Sequence, residues 1–175
     1  MTRVAGPIQV SGPEVLDRIG RFRFEVWAAT GLLVSDAFPG KTWRDSQDDS
    51  ARHWIIEVDG RLAGSVRYCQ FDRLDDMPEA AQYRELGLAL EGPIGLPERL
   101  VVHPAFHGMG LRRSLLTGVW AAAKASGARW LLSECAPTMV SHLLARGRKL
   151  VGPAALDPRF PTVRFQFILT DVEKL

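Results

Sequence analysis

The feature that most constrains the fold is a junction in the 175-residue chain where an apolar run ends and a helical pattern begins. Residues 101–116, VVHPAFHGMGLRRSLL, pass from a β-branched pair through Pro104, Gly108 and Gly110 into apolar residues at helical spacing. A further apolar run, ARWLLSEC, follows this helix. Strands joined by a helical crossover run parallel, so the junction predicts a parallel pair with the glycine turn at its carboxyl edge.

The glycines allow two interpretations of this turn. The first amides of a helix have no partner within the helix, and with the helix dipole they favour an anion such as phosphate. Glycine also lets a ligand approach the backbone, because it has no Cβ. A Gly-x-Gly pair is equally typical of an ordinary strand-to-helix turn. The remaining pattern therefore decides between a binding loop and a plain turn.

Apolar spacing predicts the elements in the order strand, two helices, three strands, helix, strand, helix and two strands. Segment 39–54 is expected to form a short helix or an ordered loop, and segment 72–97 a loop carrying a short helix. The dipeptide Asp59-Gly60 between apolar runs predicts a hairpin with a type I′ turn. The chain is therefore expected to form one α/β (α+β) domain over residues 1–175, with a mixed, twisted sheet of six to seven strands flanked by helices.

Composition and charge exclude several classes of protein. The 22 basic and 20 acidic residues give a net charge of +2, which is too balanced for a nucleic-acid-binding surface. No run has the length of a signal-peptide core or a membrane span, so we expect a cytoplasmic protein without membrane contact. Cys69 and Cys135 lie far apart in apparent strands, which predicts buried thiols. His103 and His107 are separated by Pro104, which opposes a helical ligand pair, so we expect no metal.

The central junction resembles the GNAT superfamily of acyl-CoA N-acyltransferases. Members have an apolar strand ending in a Val-x-Pro-like run, then Arg or Gln, two spacers, Gly, one spacer, and Gly or Ala at the start of a helix. The corresponding residues here are His107, Gly108, Met109, Gly110, Leu111 and Arg112, of which His107 and Arg112 depart from the pattern. The resemblance implies a GNAT fold splayed between strands four and five, with acetyl-CoA or another acyl-CoA as co-substrate.

The resemblance also implies how the donor is held. In the family, the pantetheine arm inserts between strands four and five, where main-chain groups of Leu100 and Val102 would bind it and polarise the thioester carbonyl. The pyrophosphate would lie on the glycine loop. Nearby basic residues either form a solvated face or attract the 3′-phosphate of CoA or an acyl carrier protein; these are Arg112, Arg113, Arg146, Arg148 and Lys149.

Proton transfer has several candidate groups. Glu98 and Glu134 are candidate general bases, and the alternatives are a partner for Arg99 and a solvated strand end. The family often has a Tyr four residues before its late Gly to protonate the leaving thiolate, and Leu143 stands there in this chain. His142 is the neighbouring candidate acid, although one helical step turns its side chain about 100° away and a place on the helix surface is the alternative.

The first half of the chain is similar to acyl-homoserine-lactone synthases and long-chain N-acyl amino acid synthases. These carry an Arg-x-x-x-aromatic motif on the first helix, acids three apart, an Arg on the third strand and Glu-x-x-Arg on the fourth. The matching residues are Arg23, Trp27, Asp45, Asp48, Arg67 and Arg99. Glu98 adjoins Arg99, and Leu96 fills the place expected for the Glu. These residues form either local charge pairs or an acceptor pocket for an amine and a carboxylate.

The sequence therefore predicts an enzyme that transfers an acetyl or longer acyl group from acyl-CoA to a primary amine of a small molecule by direct attack. One alternative is a signal-type synthase that uses long acyl-CoA or an acyl carrier protein. Another is a degenerate module that binds acyl-CoA without turnover. A homodimer is one assembly that the sequence leaves open.

Overall fold

The centre of the molecule is a seven-stranded sheet, seen in a computed structural model that describes residues 2–78 and 80–175. The strands are β1 (Val4–Val10), β2 (Arg52–Val58), β3 (Arg61–Phe71), β4 (Ile94–Val102), β5 (Trp130–Cys135), β6 (Lys149–Asp157) and β7 (Phe160–Asp171). Their order in the sheet is β1-β2-β3-β4-β5-β7-β6. β4 and β5 run parallel, and the other neighbours in the described part run antiparallel. The predicted fold class and strand count are confirmed.

Four helices accompany the sheet, namely α1 (Pro13–Ala28), α2 (Ala80–Glu85), α3 (Leu111–Ala125) and α4 (Pro137–Leu144). Segment 39–54 takes the ordered-loop alternative, with 3-10 turns at Pro39–Lys41 and Ser46–Asp49. The short helix expected within segment 72–97 is α2. Within residues 2–78 and 80–175, every helix is too short or too polar to cross a membrane.

The hairpin between β2 and β3 has the predicted turn. Asp59 has φ 50° and Gly60 has φ 77°, the pair of positive φ angles that a type I′ turn requires. Two predicted strands are longer than expected: β4 begins at Ile94 and β6 continues to Asp157. Pro97 hides β4 in the sequence, because proline has no N–H to donate to a sheet ladder. The strand tolerates this proline because it has already separated from β5 at that point.

The two faces of the sheet pack against different helices. Leu115 and Val119 of α3 contact one face through residues such as Trp54 and Val66. On the opposite face, Ile19 of α1 packs on Ile55. Trp54 and Ile55 are consecutive in β2, so strand alternation sends their side chains to opposite faces. The sheet is therefore covered on both sides where it is widest.

The parallel pair β4–β5 is short. The strands pair only at Ile94 with Trp130 and at Gly95 with Leu131, within the described residues. A Cβ on Gly95 would lie 2.6 Å from Leu131 Cδ2 and from the Tyr68 ring, so the closest approach of the two strands needs glycine. Beyond Gly95 the strands separate, which confirms the predicted splay.

An aromatic cluster fixes the end of the β6–β7 hairpin against the first helix and the loop that follows it. The Phe160 ring lies 4.7 Å from the Trp27 ring and 5.2 Å from the Trp43 ring, measured between centroids. Phe38 packs on Trp43 at 5.6 Å. Phe160 is 1% exposed, and the Arg159 carbonyl accepts a hydrogen bond from the Val34 amide. Segments far apart in sequence therefore meet beside the open part of the sheet.

We predict that Phe160→Ala lowers the free energy of unfolding by about 3–5 kcal/mol, because it empties a buried aromatic site. Leu150→Ala on β6 of the same hairpin is the control. Leu150 is 45% exposed, so its truncation should cost below about 1 kcal/mol. Urea denaturation of both variants measures the difference. Equal losses would contradict the anchoring role of Phe160.

Candidate active site

A cavity of about 710 Å³ occupies the gap between β4 and β5. The strand residues that line it are Leu96–Leu100 on β4 and Leu131–Cys135 on β5, with Ile168 and Thr170 on β7. Residues of α3 and α4 line it on one side, and residues of α1, α2 and the β6–β7 hairpin line it on the other. The cavity is therefore bordered by elements from both faces of the sheet.

The glycine turn lies on the α3 side of this cavity. Gly110 has φ 74° and begins α3, and the first amide to bond back in the helix is that of Ser114, which donates to the Gly110 carbonyl at 3.1 Å. The amides of Leu111, Arg112 and Arg113 precede this bond and have no partner in the helix. Open space surrounds a Cβ built on Gly108 or Gly110. The backbone is thus open to an anion at this turn.

The other loop residues frame the same end. His107 Nε2 lies 3.1 Å from the Val102 carbonyl, which ties the loop to β4. Arg112 contacts the Met139 sulfur of α4, so this cation spans the gap between α3 and α4. Met109 and Arg113 are exposed beside it. Arg148 lies over the Trp120 ring at 5.4 Å and also lines the cavity.

A network of paired charges lies on the α1 side of the sheet. Arg67 on β3 donates to Asp45 at 2.5 Å and to Glu98 at 2.8 Å, and it lies 3.3 Å from Asp48. Burial opposes the charge of Arg67, but the carboxylates of Glu98, Asp48 and Asp45 outweigh it and raise the pKa of the guanidinium. The result is one cation shared by three carboxylates.

Two further guanidiniums complete this network. Arg23 of α1 donates to Asp48 at 2.8 Å, and both side chains are at most 2% exposed. Arg99 donates to Asp45 at 3.1 Å. Burial raises the pKa of Asp48, but Arg23 outweighs it and holds that pKa below its usual value. The three cations and three carboxylates balance, as buried charges require.

His53 of β2 joins the network as a neutral ring. Its Nε2 lies 2.9 Å from the Asp48 carbonyl, and its Nδ1 lies 3.4 Å from Arg23 Nη2. The carbonyl can only accept and the guanidinium can only donate, so Nε2 carries the hydrogen and Nδ1 accepts. Burial lowers the pKa of His53, with the charge of Arg23 acting in the same direction.

A bulge in β4 places Glu98 and Arg99 in the same network. Glu98 pairs with Arg67 in the ladder and Val101 pairs with Ser65, so residues 99–100 lie opposite Val66 alone. Arg99 adopts φ 53°. On a regular strand, adjacent side chains point to opposite faces. The bulge removes this alternation, and therefore the Glu and Arg reach one set of partners although they are adjacent in sequence.

Residues 19–146 match the acetyltransferase (GNAT) family, which covers most of the chain and the whole glycine turn. The chain belongs to this family. It is therefore an acyltransferase. No curated protein matches it by sequence.

Solved structures with the same fold include three synthases. The N-acyl amino acid synthase FeeM from uncultured soil microbes has a TM-score of 0.71 at 14% identity, covering 99% of this chain and 92% of that one. The CoA-dependent acyl-homoserine lactone synthase MesI has a TM-score of 0.67 at 22% identity, and the match covers 97% of this chain and 89% of that one. The AHL synthase LasI has a TM-score of 0.69 at 13% identity, and the match covers 98% of this chain and 89% of that one. At these identities the likeness shows the GNAT fold alone.

The structure divides the sequence-predicted acceptor residues into two groups. Trp27 lines the cavity. Arg23, Asp48 and Arg67 are buried behind its wall, where they pair with one another, and Asp45 links Arg67 to Arg99. The wall residue Glu98 accepts from Arg67 Nε and Nη2 through the same oxygen, Oε2. The network therefore positions Glu98 and Arg99 at the cavity.

The remaining GNAT candidates are placed as follows. Glu134, at the end of β5, lines the cavity with Glu98, and it acts electrostatically on Arg159. Leu143 also lines the cavity, in the place of the Tyr in the family pattern. The His142 ring instead lies beside Arg146, with 2.8 Å between Nδ1 and Nη1. Groups of three or more metal-ligating side chains are not found in the described part of the chain.

Sequence reasoning missed three residues at this site. Asp157 and Arg159 line the cavity, and His53 completes the ion network. The β6–β7 turn carried no motif, and its approach to the site depends on packing between segments more than 100 residues apart. For His53, the signal was a polar residue directly before the apolar run of residues 54–56 in β2.

We predict that Arg67→Met lowers the free energy of unfolding by about 3–5 kcal/mol, because it leaves three carboxylates without their shared cation. Arg18→Met is the matched control. Arg18 pairs with Glu57 on the surface, where an ion pair contributes below about 1 kcal/mol. Denaturant titration at pH 7 distinguishes them. A small loss for Arg67→Met would show that the network does not hold the fold.

The pKa of His53 predicts an acid-sensitive fold. The folded pKa lies below the unfolded value of 6.5, so the unfolded chain binds the proton more readily as the pH falls below 6.5. Stability from His53 is present above that pH and is lost toward the folded pKa, with a slope of at most about 1.4 kcal/mol per pH unit. Urea unfolding at pH 7.5 and pH 5.5 measures it.

The control for this titration is His142→Gln, which removes an exposed histidine and should retain the slope of the unmodified protein. His53→Gln should flatten the slope in that window. An unchanged slope in His53→Gln would assign the acid sensitivity to other groups and contradict the role of His53.

Proposed function

We propose that the protein transfers an acetyl or longer acyl group from acyl-CoA to a primary amine of a small-molecule acceptor. The observation that carries this proposal is the 710 Å³ cavity that crosses the sheet where β4 and β5 part. Its volume lies in the range of sites for small ligands. Elements from both faces of the sheet line it, so a donor and an acceptor would meet there from opposite faces.

The donor side is the face with α3 and α4. The unpaired amides of Leu111, Arg112 and Arg113 would hold the pyrophosphate, at a turn where glycine leaves the backbone accessible. The pantetheine arm would lie along β4 beyond Gly95, where the edge facing β5 has no strand partner. Main-chain groups of Leu100 and Val102 would hold the arm and polarise the thioester carbonyl.

The acceptor side is the face with α1 and the β6–β7 hairpin. The acceptor nitrogen attacks the thioester carbon, the carbon–nitrogen bond forms, and the carbon–sulfur bond breaks. Glu98 or Glu134 takes the proton that the amine loses, directly or through water, since both carboxylates line the cavity. Leu143 carries no proton to donate, so the thiolate leaves with a proton from solvent or from the acceptor.

Direct attack is the form of transfer that the local chemistry supports. Cys135 is the thiol that lines the cavity, and burial raises its pKa to about 11. Such a thiol is protonated at neutral pH, and the thiolate is the reactive form. An acyl-cysteine intermediate is therefore disfavoured.

A second candidate is a signal-type synthase that transfers a long acyl chain to an amino-acid-like acceptor. The ion network of Arg23, Asp48 and Arg67 favours it, because these residues match the synthase pattern and they also interact with one another. The similar structures include an N-acyl amino acid synthase and an acyl-homoserine lactone synthase. The exposed Arg113 and its basic neighbours would serve CoA or an acyl carrier protein, and a homodimer is compatible with either candidate.

We predict that Gly110→Ala raises the KM for acyl-CoA about tenfold or more, because a Cβ would strain the turn and occupy the space over the helix amides. Gly127→Ala is the matched control. Gly127 follows the other end of α3 with φ 72° and equally open surroundings, so it carries the same strain without facing the donor. Equal effects on KM would contradict the donor site.

The proposed function is tested by thiol release from acyl-CoAs of two to twelve carbons with a panel of primary amines. Turnover is expected, and Glu98→Gln or Glu134→Gln should lower kcat by about 100-fold or more for the residue that acts as base. Glu25→Gln, on the exposed face of α1, is the control. A preference for long chains would favour the signal-type synthase. Tight CoA binding without turnover would overturn the proposal and favour a binding module.

A further inference from the structure

Two arginines flank Trp43 at the acceptor end of the cavity. The guanidinium carbon of Arg99 lies 4.4 Å from the centre of the Trp43 ring, and that of Arg159 lies 5.7 Å from it. All three residues line the cavity. The GNAT donor site and the proton-transfer groups make no use of this arrangement.

The guanidinium of Arg99 has a hydrogen-bond donor that the ion network does not satisfy. Its Nη2 donates to Asp45, whereas its buried Nε has no hydrogen-bond partner in the described residues. Burial and repulsion from Arg67 and Arg159 lower the pKa of Arg99, and together they outweigh the attraction of Glu98 and Asp45. The side chain is 15% exposed and lines the cavity, so this exposed part is what a bound molecule meets. An anion there would offset the cost of the buried charge.

Arg159 is held in place from two sides. Asp157 accepts hydrogen bonds from Arg159 Nε and Nη2, so Nη1 is the nitrogen left without a bond among the described residues. The backbone is fixed by the Val34 amide, which donates to the Arg159 carbonyl, and by the buried ring of Phe160. The guanidinium is therefore preorganised with one edge available.

We propose that Arg99 and Arg159 bind the carboxylate of the acceptor beside Trp43, so that the acceptor class is an amino carboxylic acid. This inference rests on the proposed N-acyltransferase function. A guanidinium pairs well with a carboxylate. Glu98 and Glu134 line the same cavity, and they suit the ammonium group that must lose its proton before attack. The pocket thus offers complementary charges to both ends of one small zwitterion.

The test compares amino acids with their own carboxamides, which keep the amine and remove the negative charge. Acyl transfer is measured with the acyl-CoA that gives the fastest thiol release. The unmodified protein should prefer the acids about 10- to 100-fold in kcat/KM, the range expected for a charge-assisted hydrogen bond. Arg159→Gln should lose this preference through a higher KM for the acids, and Arg159→Lys should restore part of it.

Binding is measured separately by tryptophan fluorescence, with the same acids and amides added in the presence of CoA. Arg164→Gln, an exposed arginine on β7 outside the cavity, is the control and should keep the preference for acids. Thermal unfolding checks that each variant is folded.

The outcomes separate the two claims. Failure to acylate any amine would overturn the proposed function. In that case the fluorescence titration, which compares the binding of acids and amides, still tests the carboxylate site. Equal binding and turnover of acids and amides by the unmodified protein would overturn the carboxylate site. An acid preference that survives Arg159→Gln would overturn the assignment to Arg159.

Discussion

The separation of β4 from β5 after two residue pairs is the constraint on which the site depends. Gly95 brings the strands together, and the bulge at Arg99 follows directly in the same strand. If β4 and β5 stayed paired along their whole length, the backbone groups of β4 on that edge would all form hydrogen bonds within the sheet. The gap instead leaves both a passage through the sheet and an unpaired strand edge inside it.

The buried ion network shows how such a gap is kept in shape. Charges in the interior are costly, and these are tolerated because each guanidinium has a carboxylate partner. The network connects α1, the 45–49 loop, β2, β3 and β4, so it sets their relative positions as well as the directions of Glu98 and Arg99. His53 adds a neutral ring that fits this arrangement only while unprotonated.

Local pattern was enough to predict the fold class, a sheet of six to seven strands and the type I′ turn, because each leaves a signature within a few residues. The splay between strands four and five was predicted only from the resemblance to the GNAT superfamily. The spacing of Glu98 and Arg99 looked wrong for the synthase pattern, since a bulge is invisible in a single sequence. The roles of Asp157 and Arg159 could not be predicted, because their position depends on Phe160 packing against Trp27 and Trp43. The sequence therefore did not reveal the site residues that only long-range packing brings to the cavity.

The anchoring of the β6–β7 tip has a consequence for how new specificities arise in such a scaffold. The buried Phe160 ring anchors the tip, and Asp157 and Arg159 of the tip line the cavity on the side where we propose that the acceptor binds. The tip lies far along the chain from the glycine turn, where we propose that the donor binds. Substitutions at these few positions would change the choice of acceptor in the proposed reaction while the proposed donor site stays intact, so acceptor specificity can evolve within one hairpin end.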